Sequence, residues 1–354
     1  MKVPRLSVVI PLYKGGKYAE DAISSVLAQT FTDYEIIIVD NNASEESQRY
    51  AYPFAEKFPE KIRVVRENVQ GVCSARNKGI LDAKGELIAL LDDDDLMYPD
   101  RLERQVELYD KHPESSIISC WYDIILPDGT IHSSRDSYSE LFFAKILQDK
   151  PERNKENPCI HNLPSTMLFS KMTALKAGIF DTRFNPCGME DMDFSFRMYQ
   201  QGSILLSTKP GVIYRYTEGE FEMKKWNELG VRTLTLWKKT DLLFSILQSQ
   251  IPKNLESNKK IKKIQSQWLR EFGCFLMQFP EMRMSAKHLL KRALRSGPFD
   301  YKAWKSYLRS FYPASLYGKA FHFEVEREFP KSFAFPEGFE NTYFSISPSF
   351  FHEK

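Results

Sequence analysis

Two acidic clusters carry the chemistry this chain is equipped to do. Four consecutive aspartates, Asp92-Asp93-Asp94-Asp95, follow the apolar run Leu87-Ile88-Ala89-Leu90-Leu91, and Glu190-Asp191-Met192-Asp193 lies well downstream. Adjacent carboxylates repel and raise one another's pKa, so a run of four is stable while ionised only beside a cation. Hard divalent ions suit such oxygen ligands, and Mg²⁺ or Mn²⁺ commonly bridges carboxylates to substrate phosphates. In the second cluster Glu190 and Asp191 would split their pKa values, leaving one as a competent base near neutrality. Each cluster also has a plain structural reading. The first would be a solvated acidic turn ahead of the helix that begins near Pro99, the second a pair of helix N-terminal acids favoured by the macrodipole.

Elements around these clusters must position them. Leu6 to Tyr13 reads as a buried strand, ended by Pro11 and the Gly15-Gly16 pair. Ala19, Ala22, Ile23, Val26 and Leu27 then fall at helical spacing. Strands are expected over Tyr34–Val39, Ile62–Val65 and the run from Glu86, with helices over Ser44–Phe58, Ser74–Ala83 and from Pro99 to Lys111. Continuous apolar runs alternating with helices argue for a mostly parallel α/β sheet, with ligands beyond the carboxyl ends of the strands. Further on, a hairpin is expected from Ile117 to Ile131 around Pro127-Asp128-Gly129, followed by an irregular stretch over 133–162. Ser165–Phe169 reads as a strand and Met172–Ala177 as a helix. The second acidic cluster should head a helix, and Ile204–Ser207 and Val212–Tyr216 should be separate strands.

Composition narrows the field. The 354 residues carry a formal net charge of +2, which implies no nucleic-acid partner. The five cysteines, odd in number and without a CxxC pair, point to reduced thiols in a cytosolic setting. No run of 18 apolar residues suggests a spanning helix, and the N-terminus leads straight into a strand rather than a signal peptide. There is no GxGxxG after the first strand, no GxxxxGK[ST], no HExxH and no GxSxG.

Six segments in order resemble a known pattern: Leu6–Tyr13, Ile23–Thr30, Ile38–Asn42, Gly71–Asn77, Ala89–Asp95 and Glu190–Asp193. Over residues 5–217 the chain looks like a family 2 glycosyltransferase with the GT-A fold. The resemblance implies an inverting transfer of a sugar from a nucleotide-diphosphate donor, most often a UDP-sugar, aided by Mn²⁺ or Mg²⁺. It implies that Asp40 meets the uracil imide, Pro11 and Tyr13 wall and stack the base, and Arg76 contacts ribose or diphosphate. Asp92 would face the ribose, Asp94 would ligate the metal, Asp93 would fill the variable position of the DxD pattern, and Asp191 would be the base with Glu190 beside it. The register within the four aspartates stays open by one residue. Two departures stand out: Lys14 replaces a frequent Asn, and Tyr214-Arg215-Tyr216 is followed by Thr217 instead of a frequent His, which implies either weaker metal binding or an Arg215 that takes up part of that role.

From about Glu218 the character changes to helical and basic. Between Lys224 and Lys305 there are 18 Lys and Arg against 6 Asp and Glu. The expected organisation is a catalytic domain over 1–220, a helical domain over 221–330 and an irregular tail over 331–354. Lys259–Ile264 and Lys287–Leu294 combine cations with apolar residues at helical spacing. They fit either a solvated basic face or peripheral contact with an anionic inner-leaflet surface. The expected function is transfer to a saccharide or lipid-linked saccharide acceptor in surface polysaccharide synthesis, by a cytoplasmic protein free to oligomerise. The alternatives are a nucleotidyltransferase and a catalytically silent sugar-binding scaffold.

Overall fold

A computed structural model describes residues 3–126, 128–133, 163–186, 188–215 and 283–311, with scattered helical positions between Lys239 and Met277. The chain divides into two compact units, Met1–Thr217 and Glu218–Lys354.

The first unit is built on a nine-stranded sheet. Strand β1 (Leu6–Leu12) and β2 (Tyr34–Asp40) are buried along their whole length, as their Val- and Ile-rich centres require, and the buried Ser7 hydroxyl donates to Glu35 at 2.7 Å. β3 (Ile62–Arg66) pairs parallel with β2, and β4 (Leu87–Leu90) pairs parallel with β1. Beyond β4 the sheet becomes mixed. β8 (Leu168–Ser170) runs antiparallel to β4, and β6 (Ile117–Ile125) antiparallel to β8. β9 (Ile204–Arg215) is parallel to β6, and the short β5 (Leu96–Met97) closes on β9. β7 (Ile131–Ser133) completes the expected hairpin with β6.

One face of β1, β2 and β4 packs Val8, Ile10, Leu12, Ile36, Ile38 and Ala89 against three helices: α1 (Tyr18–Leu27), α2 (Glu45–Lys57) and α4 (Arg101–Lys111). On the other face α3 (Val72–Asp82) lies so close that a Cβ on Gly79 would overlap Val9. Two further helices, α5 (Lys171–Ala177) and α6 (Glu190–Tyr199), follow. Arg197 joins them: it pairs with Asp193 at 2.7 Å and donates to the carbonyls of Ala177 and Gly178 at the α5 terminus.

Two expectations are corrected. Ile204–Ser207 and Val212–Arg215 lie in one strand, which continues past Pro210 as its register against β6 shifts on either side of Trp121, and Tyr216 lies outside the described residues. Ser165 is no strand residue. It sits in a 3-10 turn, Pro164–Thr166, and the strand begins only at Leu168. Leu96–Met97 was not foreseen, two residues being too short for any periodicity.

In the second unit α7 (Arg283–Ser296) buries Ala286, Leu289, Leu290, Ala293 and Leu294, and α8 (Tyr301–Arg309) begins at an Asp300 cap that accepts the Ala303 N–H at 3.1 Å. Among the described residues no helix is long and apolar enough to cross a membrane. His161, Asn162, most of 133–162, most of Lys259–Ile264 and the 331–354 tail lie outside the described residues.

Candidate functional site: a carboxylate cluster at the sheet edge

Parallel pairing brings the carboxyl ends of three strands to one edge. Leu12 of β1 stands opposite Asp40 of β2, while β4 leaves the ladder at Leu90, opposite Val9. Pro11 is buried within β1, beyond the last residue paired with β4, where its missing N–H leaves no ladder bond unmade. Tyr13, Asp40 and Asp92–Asp95 therefore emerge together.

The four aspartates do four different things. The Asp92 carboxylate accepts two bonds from one Arg76 nitrogen, at 2.8 and 3.1 Å. Asp93 turns back to β1, where its Oδ2 accepts the backbone N–H groups of Tyr13 (2.8 Å) and Gly15 (2.9 Å). Burial pushes its pKa up to about 6, and those two amides partly offset the push. Gly15 has to be glycine for the approach, since a Cβ there would sit 2.5 Å from the Asp93 carbonyl oxygen and 2.7 Å from its carboxyl carbon. Asp95 is buried, accepting the Ser165 hydroxyl at 2.5 Å and the Arg215 N–H at 3.0 Å. Asp94 is half-buried, and its backbone carbonyl accepts Arg215 Nε at 3.0 Å. Arg215 also reaches Asp21 at 3.2 Å and lies 4.2 Å from the Tyr18 ring centroid. It thus braces the aspartate loop through backbone as well as side chain.

On the base side Tyr13 is 41% exposed, with Lys14 Nζ 5.0 Å from its ring centroid. Asp40 is buried. Its two oxygens accept the Ala43 N–H (2.8 Å) and the Tyr52 hydroxyl (2.6 Å), so it forms an Asx turn while keeping further lone pairs. Burial, then the Asp40 carboxylate, push the Tyr52 hydroxyl up to about 12. Asn41 orders the loop before α3, donating to the Glu67 and Val69 carbonyls and accepting the Gly71 N–H, each at 2.8 Å.

Arg76 is the least expected member. The resemblance implies a contact with ribose or diphosphate. In the structure Arg76 is 2% exposed, and its guanidinium lies between Asp92 and Glu190, the latter at 3.0 Å. Two carboxylates hold its pKa above the usual arginine range in spite of burial. A tight turn, with Gly188 at φ 105° and Met189 at φ 68°, sets Glu190 at the head of α6, where it also accepts the Gly188 N–H at 2.5 Å. Asp191 accepts the Met192 N–H at 2.7 Å. Its pKa is pushed up to about 7, by burial first and the Glu190 charge second.

Sequence reasoning missed Ser165, Tyr52 and Asn185 as members of this region. Asn185 accepts the Cys73 N–H at 3.1 Å and donates to Ser74 Oγ at 2.8 Å, joining the α6 loop to the start of α3. No motif marks a residue whose work is to cap a helix distant in sequence.

Among the described residues no group of three His, Cys, Asp or Glu could by itself hold a metal. An ion held there would have to take most of its ligands from substrate phosphate and water.

Residues 7–176 match Glycosyl transferase family 2. An uncharacterized glycosyltransferase of Rickettsia typhi is 32% identical over 199 residues, 54% of this chain and 58% of that protein. Glycosyltransferase GlyG of Streptococcus pneumoniae is 29% identical over 171 residues, 47% of this chain and 56% of GlyG. The chain thus spans under two thirds of the length of these relatives. In fold it is similar to S. aureus TarS 1–349, solved in complex with UDP (TM-score 0.51, 16% identity, 94% of this chain and 95% of that one). The same protein in complex with UDP-GlcNAc gives a TM-score of 0.52 at 16% identity, over 89% of this chain and 92% of that one. The Met1–Thr217 unit takes the GT-A fold, and its residues 7–176 carry the match to glycosyltransferase family 2.

Proposed function

We propose that the chain is an inverting glycosyltransferase that moves a sugar from a nucleotide-diphosphate donor, a UDP-sugar, to a saccharide or lipid-linked saccharide acceptor of a surface polysaccharide. The observation that carries this is the Arg76 bridge. It holds the aspartate loop and the Glu190–Asp191 head of α6 on one guanidinium, so a donor-binding carboxylate set and a base tuned to about 7 share one edge of the sheet. TarS 1–349 has been solved in complex with UDP and with UDP-GlcNAc, which supports a uridine donor.

The parts divide as follows. The exposed Tyr13 ring offers a stacking face for the base, and Asp40, fixed by Ala43 and Tyr52, offers a lone pair to an imide N–H. On the DxD pattern of the resemblance Asp92 and Asp94 are the pair facing ribose and metal, while Asp93 and Asp95 hold the loop through Tyr13, Gly15, Ser165 and Arg215. Mg²⁺ or Mn²⁺ on Asp94, when bound, would neutralise charge on the departing diphosphate. Asp191 takes the proton from the acceptor hydroxyl as the new glycosidic bond forms, and Glu190 and Arg76 hold it in place and set its basicity.

The test is release of UDP from UDP-sugars in the presence of saccharide acceptors. Asp191→Asn should lower turnover by about 10²–10⁴-fold with folding intact, the usual worth of a general base. Near-normal transfer by that variant would remove Asp191 from the role. Absence of turnover by the wild type over a broad donor and acceptor set, with no nucleotide binding, would support the silent-scaffold reading.

A further inference from the structure

Helix α8 of the second unit is turned inside out. Its buried side is Ala303, Ser306 and Ser310, whereas Tyr301, Trp304, Leu308 and Phe311 are 75%, 45%, 59% and 59% exposed. The exposed four are spaced by three, four and three residues, so they form one continuous stripe along the helix. Phe299, just ahead of the Asp300 cap, is 99% exposed and extends the stripe. A helix that turns small residues inward and large apolar ones to water has its energetic reason outside its own unit.

Cations border the stripe. Lys302 is exposed beside it, and Lys287 of α7 lies 4.7 Å from the Phe311 ring centroid. Lys291 and Arg295 continue from Lys287 at intervals of four residues and are exposed. Trp304 is amphipathic in the way interfacial residues are, with its indole N–H bonded to the Pro298 carbonyl at 2.9 Å and its ring in solvent. Aromatic and leucine side chains on one face, bordered by lysine and arginine, complement an anionic bilayer surface: rings enter the acyl boundary and cations stay among the headgroups. Over 224–305 the sequence carries 18 Lys and Arg against 6 Asp and Glu, a surplus that complements anionic headgroups.

We infer that the Phe299–Phe311 stripe, with Lys287, Lys291 and Arg295, is a docking surface for anionic phospholipid. The inference does not depend on the donor or the acceptor. It is tested by co-sedimentation of the full chain with vesicles of phosphatidylcholine alone or with 30% phosphatidylglycerol added. With anionic surface attraction adding on the order of a few-fold per neighbouring cation, the bound fraction at limiting lipid should rise at least about tenfold with phosphatidylglycerol and fall in high salt. Trp304→Ser with Leu308→Ser, both at exposed positions, should leave the circular dichroism spectrum unchanged and lower binding about tenfold or more. Lys287→Gln with Lys291→Gln should reduce the phosphatidylglycerol dependence. Equal binding by wild type and the Trp304/Leu308 variant, or no binding by folded wild type, would overturn the assignment. So would a wild-type dimer that this variant dissociates without any vesicle binding, which would make the stripe a self-contact.

Discussion

Arg76 Nη1 and Glu190 Oε1 meet at 3.0 Å across 114 positions of chain. The same guanidinium holds Asp92 through its other terminal nitrogen, so one buried cation joins the end of β4 to the head of α6. The charge balance is local, and removing the cation leaves two carboxylates facing each other in a buried place. Arg76→Met should therefore cost about 3–5 kcal/mol of stability, the usual penalty for breaking a buried ion pair from one side. Denaturant unfolding of the first unit reads this directly. A loss below about 1 kcal/mol would mean that the pair is solvated and does not organise the site.

Gly15 and Asp93 set the second prediction. With no room for a Cβ above Asp93, Gly15→Ala must push the β1–α1 loop off the carboxylate that holds it. The fold rests on the buried strands and should survive, while UDP affinity should fall about tenfold or more, equivalent to about 1.4 kcal/mol. Isothermal titration against wild type measures it. Unchanged affinity would place the nucleotide elsewhere.

Asp191 gives a pH dependence with a definite sign. The base must be ionised, so turnover should rise with pH through an acid limb near 7. Glu190→Gln removes the like charge that helps raise Asp191 and leaves Arg76, whose charge lowers it, so the limb should move to lower pH. Stability carries the opposite trend. Between the ordinary carboxylate pKa and about 7 the folded state binds the proton that the unfolded state has released, so stability falls as pH rises through that window. Asp191→Asn cannot titrate, and its thermal midpoint relative to wild type should be higher at pH 8 than at pH 5.

Tyr52 and Asp40 are a further checkable pair. Tyr52→Phe leaves a buried carboxylate oxygen short of one donor and should cost about 1–3 kcal/mol. The expectation is a matching drop in unfolding free energy. A neutral result would mean that water replaces the hydroxyl.

Much of the fold was legible because its strands are fully buried. Val8–Leu12 and Ile36–Val39 are apolar runs of strand length, and the strands that hold them end where the chain turns to Gly15-Gly16 and Asn41-Asn42. β9 was misread as two strands because Pro210 and Gly211 look like a break. Only the facing strand, with its register shift at Trp121, reveals continuity. The acidic residues of the candidate site were visible as motifs, but their division of labour was not. Four identical aspartates carry no information about which one faces Arg76 and which one folds back onto Tyr13 and Gly15. The inverted α8 is plain in the sequence only once its buried face is known, since Tyr301, Trp304 and Leu308 at helical spacing read equally well as core.

The central claim is that the sheet edge binds a uridine diphosphate through a shared divalent ion. The direct measurement is a thermal-shift panel of UDP, GDP, CDP, TDP and ATP, each with and without Mn²⁺, on wild type and on Asp94→Asn. A ligand present at about 100 times its dissociation constant stabilises the native state by about 2.7 kcal/mol, which a shift in midpoint reveals. The account predicts a shift with UDP that requires Mn²⁺ in the wild type and is lost in Asp94→Asn. A metal-independent shift, an equal shift in Asp94→Asn, or no response to any nucleotide would contradict it.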